Sequence, residues 1–355
     1  MYVTFSLHGG GAERLLTNIT LQQRHSREIT VVVLRPDGVF RPALEEAGIR
    51  VVDLGMHGYH DVFSGIVRLA RWIRRIRPGV VHAWDYFANI LAFFACKLTR
   101  SEARLFWGLY GTGFGPQKTR LPFSATVLLN ILLSRHVDGV SYNAVEARDY
   151  HHALGFRERR SIIISNSIDA EAFRHDVRHR ERIRRDLGIG SEEIVVAIVA
   201  RVDPMKDWPS MLAAVRGLPV ITLAIGQGTE TLPQQDGLHT LGWHDDVASV
   251  LSAADIFLLG SAYGEGTSLA LGEAMLCGVA CVVTGVGDNG TLVGDCGIVV
   301  PPRDVSAMRE AIAELAGDAQ RRESLSRCAR ARAALITLYD ERMHRLHDLS
   351  LAEAS

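Results

Sequence analysis

The stretch Gly264-Glu265-Gly266-Thr267-Ser268-Leu269-Ala270-Leu271-Gly272-Glu273-Ala274 decides how this chain is read. It follows Ala254-Asp255-Ile256-Phe257-Leu258-Leu259, a short apolar run that predicts a buried strand, and Leu269 to Leu276 predicts the first turns of a helix. Glu265 then falls in the connecting loop and Glu273 inside the helix. After Gly266, the N–H groups of Thr267, Ser268 and Leu269 lack intrahelical partners at the helix start, so they can hold an anionic phosphate or a polar ring. Two glutamates at this spacing occur by chance in many chains; their place across a strand-to-helix step is what carries information.

Upstream, Ala197-Ile198-Val199-Ala200-Arg201-Val202-Asp203-Pro204-Met205-Lys206-Asp207 ends an apolar strand in an arginine, with a lysine following in the same loop. A guanidinium grips two phosphate oxygens and an ammonium acts as a mobile point charge, so Arg201 and Lys206 suit a diphosphate on which negative charge builds. Standing alone, the pair reads as solvated loop charges. The chain has no D-x-D motif to hold a divalent metal, so no metal is expected and the two cations take over its role. Near the N-terminus, Ser6-Leu7-His8-Gly9-Gly10-Gly11-Ala12-Glu13-Arg14 follows the short strand Tyr2 to Phe5. Gly10 and Gly11 let backbone amides approach a ligand without Cβ obstruction, and the helix from Ala12 onward points its N-terminus at the same spot. The alternative is a flexible turn.

At 355 residues the chain is long for one hydrophobic core and fits two domains of about 170 residues each. Strands such as Ile29 to Val33, Val80 to His82, Ile162 to Ile164 and Ile194 to Ala200 are continuous and β-branched, with helical patterns between them. That alternation predicts parallel sheets covered on both faces, with ligands at the C-terminal strand edges. The domain boundary is expected at 170/171, with a second domain over 171–335 and a terminal helix over 336–355. Apolar content of 47% and charged content of 22% belong to a soluble globular protein. Five cysteines without a C-x-x-C pair argue against a disulfide framework and favour a reducing cytoplasm. No signal peptide is expected, and the longest apolar span, Ala88 to Cys96, is far short of the ~20 residues of a membrane helix.

Charge is uneven. Residues 1–170 carry 21 Lys+Arg against 14 Asp+Glu, and the remainder 18 against 26. Ser64 to Arg77 predicts a helix bearing Arg68, Arg71, Arg74, Arg75 and Arg77 beside Leu69, Trp72, Ile73 and Ile76. Such a helix either lies on an anionic membrane or packs on its own sheet with a solvated basic face. A second apolar segment, Leu121 to Leu133, is expected beside it. Nucleic acid is not an expected partner, because no recognised binding module accompanies the arginines. Gly285-Val286-Gly287-Asp288-Asn289-Gly290 satisfies G-x-G-x-x-G, but the chain is expected to run on into another strand rather than open a helix, which argues against a dinucleotide site.

Taken in order, His8–Leu16, Val80–Ile90, Ile162–Phe173, Val199–Val215, Leu223–Gly228, Leu241–Ser261, Tyr263–Thr284 and Gly297–Asp304 resemble the retaining glycosyltransferases of family 4 nearly end to end. The resemblance implies an α/β GT-B fold, two Rossmann-like domains facing a cleft, with the terminal helix crossing back to the first. It implies a nucleotide-diphosphate sugar donor, UDP ahead of GDP, and a glycan or lipid-linked acceptor in polysaccharide, lipopolysaccharide or glycolipid assembly. By resemblance Glu273 binds the donor ribose, Arg201 and Lys206 neutralise the diphosphate, and Glu265 contacts the donor sugar. The amides of Gly266, Thr267, Ser268 and Leu269 hold diphosphate and sugar, Gly226, Gly228 and Trp243 wall the base, and Gly10 and Gly11 close over the diphosphate. His82 and Asp85 become substrate-binding candidates on the acceptor side, near Gly111 to Gly115. Departures from the family pattern are Trp84 and Phe87 after the His82 strand, Thr267 for an aromatic residue, and Ser167 for a glycine. An epimerase of the same fold and a noncatalytic partner subunit are the alternatives.

Overall fold

The computed structural model describes residues 1–8, 10–36, 38–111, 121–164, 168 and 170–352, and only the backbone of Tyr59, Leu121 and 336–352. The chain divides into two compact units, Met1–Ser165 with Leu346–Ser355, and Asn166–Arg345.

The first unit holds strands β1 (Tyr2–Thr4), β2 (Thr30–Val33), β3 (Arg50–Asp53), β4 (Val80–Trp84), β5 (Arg104–Leu109), β6 (Gly139–Tyr142) and β7 (Ser161–Ile163). All pair in parallel in the order β3-β2-β1-β4-β5-β6-β7. Alternate residues of β2 show why the sheet is covered twice: Val32 joins Leu69, Ile73 and Leu91 on one side, whereas Val31 and Val33 join Leu7, Leu15 and Leu16 on the other. The order turns around β1, which has β2 on one side and β4 on the other.

The second unit repeats the plan with β8 (Ile194–Val199), β9 (Val220–Ile225), β10 (Leu238–Gly242), β11 (Ile256–Leu259), β12 (Ala280–Thr284) and β13 (Gly297–Val300). Its parallel order is β10-β9-β8-β11-β12-β13. Val195 and Ala197 of β8 pack into one core, and Val196 and Ile198 into the other. Here the order turns at β8, so the loops after β8 and β11 leave the sheet in opposite directions and open a crevice between them, where α/β sheets bind ligands.

Several expectations are corrected. The basic helix runs over Val62–Ile76 with Leu69, Ala70 and Ile73 buried and Arg71, Arg74 and Arg75 exposed. The apolar helix Leu121–Leu133 packs chiefly on the Tyr86–Thr99 helix, as the basic helix does, so Tyr86–Thr99 takes the place expected of a direct neighbour. Asn89 and Asn130 seal that contact with a hydrogen bond of 3.1 Å. A short helix, Asn289–Val293, does open within the Gly285–Gly290 stretch, before the chain reaches β13. The terminal helix begins at Ala319 and runs to Ala352, because no Gly or Pro interrupts it and Leu325, Ala329 and Ala333 form a buried stripe at helical spacing. Cys296 and Cys328 form a disulfide with Cα atoms 5.1 Å apart, tying that helix to the start of β13. Cys96, Cys277 and Cys281 are buried thiols, and burial pushes Cys96 up to about 11 and Cys277 to about 12. No helix among the described residues is long and apolar enough to cross a membrane.

Candidate functional site

In the second unit, sheet order brings together side chains far apart in sequence. Beyond β8, Asp203 accepts from Met205 N at 2.8 Å and starts a single turn over Pro204–Lys206. Arg201, at the head of this loop, has its Nε 3.5 Å from the Asp203 carboxylate, and its carbonyl accepts from the Trp208 indole at 3.0 Å. Ala262 N donates to Met205 O at 2.8 Å, which ties the β8 loop to the β11 loop. Across that tie Lys206 Nζ forms an ion pair with Glu265 Oε1, and the Ser261 hydroxyl donates to the same oxygen. Both charged side chains are nearly buried, at 13% and 7% exposure.

Glu265 is held by a close backbone approach. Gly287 has φ +59°, and a Cβ there would lie 2.5 Å from the Glu265 carbonyl oxygen, while Asp288 N donates to Gly266 O at 3.2 Å. The loop first noticed for its glycine spacing thus supports the acidic loop. Ser268 is the N-cap of the Leu269–Leu276 helix, which carries Glu273 at 1% exposure. A Cβ on Gly272 would meet the side chain of Ile168 at 2.3 Å, so the residue before Glu273 is small because the segment entering this unit packs upon it. Beyond β9, Gly226 has φ +132° and lies where a Cβ would come within 2.3 Å of the Ala200 carbonyl; Gly228 has φ +87°. Gly226 N donates to Gly242 O at 2.8 Å, so these glycines adjoin Trp243, which is 45% exposed with its indole donating to Asp245 at 2.9 Å. Arg201, Lys206, Glu265, Glu273, Gly226, Gly228 and Trp243 therefore follow or lie just beyond strands β8 to β11 of one sheet. Among the described residues no group of three or more His, Cys, Asp and Glu side chains is arranged to hold a metal ion.

In the first unit, Gly10 is the N-cap of the Gly11–Gln23 helix, and a Cβ on it would lie 2.1 Å from Glu13 Oε2. Asp85, just beyond β4, caps the Tyr86–Thr99 helix: Oδ1 accepts from Phe87 N at 2.9 Å and Ala88 N at 2.8 Å, and Oδ2 accepts from Phe5 N at 2.9 Å. Burial nevertheless pushes its carboxyl up to about 7, against the lowering effect of those three N–H groups. Its φ is +105°, an uncommon conformation for a residue with a side chain. His82 lies inside β4, 8% exposed, with Nε2 2.9 Å from the Ser141 hydroxyl and its ring among Tyr2, Trp84 and Phe106. Gly111 has φ +84° and receives the Asn143 side-chain oxygen on its N–H at 3.2 Å; Gly113 and Gly115 lie outside the described residues. Glu13, Ser261 and Gly287 are the contributors that sequence reasoning did not single out. Ser261 and Gly287 show only by where the sheet places them, while Glu13 stands three residues after an N-cap glycine, a local signal.

The profile described as Glycosyltransferase Family 4 matches residues 9–172, and that described as Glycosyl transferases group 1 matches residues 195–318. A D-inositol 3-phosphate glycosyltransferase of Mycobacterium ulcerans is 31% identical over 181 residues, covering 46% of this chain and 38% of the relative. A UDP-Gal:alpha-D-GlcNAc-diphosphoundecaprenol alpha-1,3-galactosyltransferase of Escherichia coli is 24% identical over 175 residues, covering 44% of this chain and 45% of the relative. The chain thus spans less than half the length of these relatives. The Anabaena protein HepE, solved in complex with UDP, superposes with a TM-score of 0.84 over 99% of both chains at 19% identity. At that identity the likeness establishes the architecture: two parallel-sheet units of the GT-B type.

Proposed function

The chain belongs to the family 4-type glycosyltransferases, and from that premise we propose that it is a retaining, metal-independent enzyme moving a sugar from a UDP-sugar to a glycan or lipid-linked saccharide acceptor. The observation that carries this reading is the nearly buried Lys206–Glu265 pair at the edge of β8 and β11, beside the helix that holds Glu273. A buried ion pair contributes little net stability, because desolvation offsets most of the attraction. It does place an ammonium, with Arg201 on the same loop, where a departing diphosphate needs positive charge. Glu273 takes the ribose hydroxyls, the amides from Gly266 to Leu269 take the diphosphate and sugar, and Gly226, Gly228 and Trp243 border the base. Glu265 hands its hydrogen bond from Lys206 to a donor sugar hydroxyl as the diphosphate draws the ammonium away.

The donor base is supported by HepE, which was solved with UDP, and by the Escherichia coli relative, a UDP-Gal-dependent galactosyltransferase acting on alpha-D-GlcNAc-diphosphoundecaprenol. A lipid-linked acceptor agrees with the exposed arginines of the Val62–Ile76 helix and with Phe63, which is 80% exposed on the same helix. The enzyme would then touch an anionic membrane face through the exposed arginines of this helix, in the assembly of a cell-surface polysaccharide or lipopolysaccharide.

Incubation with UDP-glucose, UDP-galactose and UDP-N-acetylglucosamine, followed by NMR of the anomeric protons, tests the reading. One donor should release an α-configured sugar first, and Lys206→Ala should slow that release by about 10² or more. An unchanged rate in the variant sinks the assignment of Lys206, and a β-configured first product contradicts retention.

A further inference from the structure

The terminal helix is fastened to the second unit one short segment away from the acidic loop. Leu325, Ala329 and Ala333 bury one stripe of it. Beside that stripe Cys328 is bridged to Cys296, and Arg332, one turn on, donates from Nε to Leu292 O at 2.7 Å and from Nη2 to Thr291 O at 2.8 Å. These carbonyls lie at the C-terminal end of the helix Asn289–Val293, where a guanidinium supplies donors that the helix itself lacks. The other end of that helix reaches the candidate donor site. Asp288 N donates to Gly266 O at 3.2 Å, and a Cβ on Gly287 would lie 2.5 Å from the Glu265 carbonyl oxygen. The segment 287–296 therefore touches the acidic loop at one end and is covalently tied to the terminal helix at the other.

Of the chain's five cysteines, this pair is the one open to exchange. Cys328 is exposed and Cys296 is buried, so a thiolate from solution meets the Cys328 sulfur first. Cys96, Cys277 and Cys281 are buried thiols, and burial raises all three, Cys96 to about 11 and Cys277 to about 12, so they do not compete as thiolates at neutral pH. One thiolate of an external dithiol attacks Cys328 Sγ and expels Cys296 as the leaving thiolate; the second thiol then resolves the mixed disulfide. One S–S bond breaks in the protein and one forms in the dithiol, with two electrons and two protons passing to the two cysteines. The buried stripe and the Arg332 hydrogen bonds survive that step, so the helix stays docked while segment 287–296 loses its covalent anchor.

We propose that Cys296–Cys328 is a thiol–disulfide exchange site: its bridged form holds the acidic loop in the donor-binding position, and its reduced form, produced by a dithiol, loosens that loop and slows sugar transfer. The inference rests on the donor-site reading of the second unit and adds to it a redox control. A bridge with a purely structural duty has no need to meet the chemistry. This one ties down a segment that runs through a single short helix to Gly287, which lies against Glu265.

Full-length protein equilibrated with oxidised or reduced dithiothreitol tests it, with thiol counting, backbone hydrogen exchange and UDP release from UDP-sugars measured on the same samples. Alkylation after unfolding should count three thiols in the oxidised protein and five in the reduced one. Reduction should speed exchange about tenfold or more at residues 286–296 and 264–269, leave β9 unchanged, and lower donor turnover about threefold or more. Oxidised glutathione should restore both readings. Cys328→Ser, a change at an exposed position, should behave as the reduced protein under either treatment. The proposal is overturned if no bridge forms under oxidising conditions, if the acidic loop exchanges equally in both states, if turnover is the same in both, or if Cys328→Ser still responds to the dithiol. Turnover absent in both states would count against the donor reading, and the exchange comparison would still decide whether the bridge holds the loop.

Discussion

Lys206 and Asp85 show how single residues in this protein are held in states that the fold alone does not require. Lys206 keeps its ammonium against Glu265 with little water around either group, a costly arrangement unless a third charge is expected there. Asp85 is an acid whose folded form titrates near 7 because it is buried, whereas in an unfolded chain it titrates near about 3.9. The folded state therefore binds more protons between those values. Stability from this group is complete below about pH 4 and is lost as the pH rises through 7. Urea denaturation from pH 5 to 8 should show a falling limb of up to roughly 1.4 kcal/mol per pH unit that is missing in Asp85→Asn. Parallel curves for the two proteins would contradict the assignment.

At the scale of elements, the loops after β8 and β11 share the Lys206–Glu265 pair because these strands are neighbours in the sheet although their loops are far apart in the chain. The helix Leu269–Leu276 was legible with its observed bounds, since its apolar run is a local signal. The Lys206–Glu265 contact was not, because it depends on strand order; nor was the Cys296–Cys328 bridge, whose partners stand 32 residues apart without a spacing pattern. The Gly285–Gly290 loop was misread for a related reason. Gly287 packs on the neighbouring acidic loop, and a five-residue helix opens at Asn289. Gly287→Ala should cost roughly 1–3 kcal/mol and reduce turnover, because the new Cβ forces the Glu265 backbone away. Gly188→Ala is the control: φ is +71°, but the space around it is open, so turnover should survive. Denaturation and donor-turnover measurements on the pair check this, and equal turnover in both variants would remove Gly287 from the site.

At the scale of the whole molecule, each parallel-sheet unit places candidate residues at the ends of the strands where its own order turns. The second unit gathers Arg201, Lys206 and the buried Glu273 at such strand ends, and the first gathers aromatic rings with Glu13 and Asp85. The residues lining the cavity beyond β1 and β4 include no Lys or Arg, so the basic excess of residues 1–170 says nothing about that cavity. The central claim is that the second unit is a donor-nucleotide site. Isothermal calorimetry of the full chain with UDP and GDP, with and without EDTA, and again with Glu273→Ala, tests it most directly. UDP should bind with the same affinity in EDTA and lose about tenfold or more in the variant. Binding of neither nucleotide, or UDP binding that Glu273→Ala leaves untouched, would contradict the account.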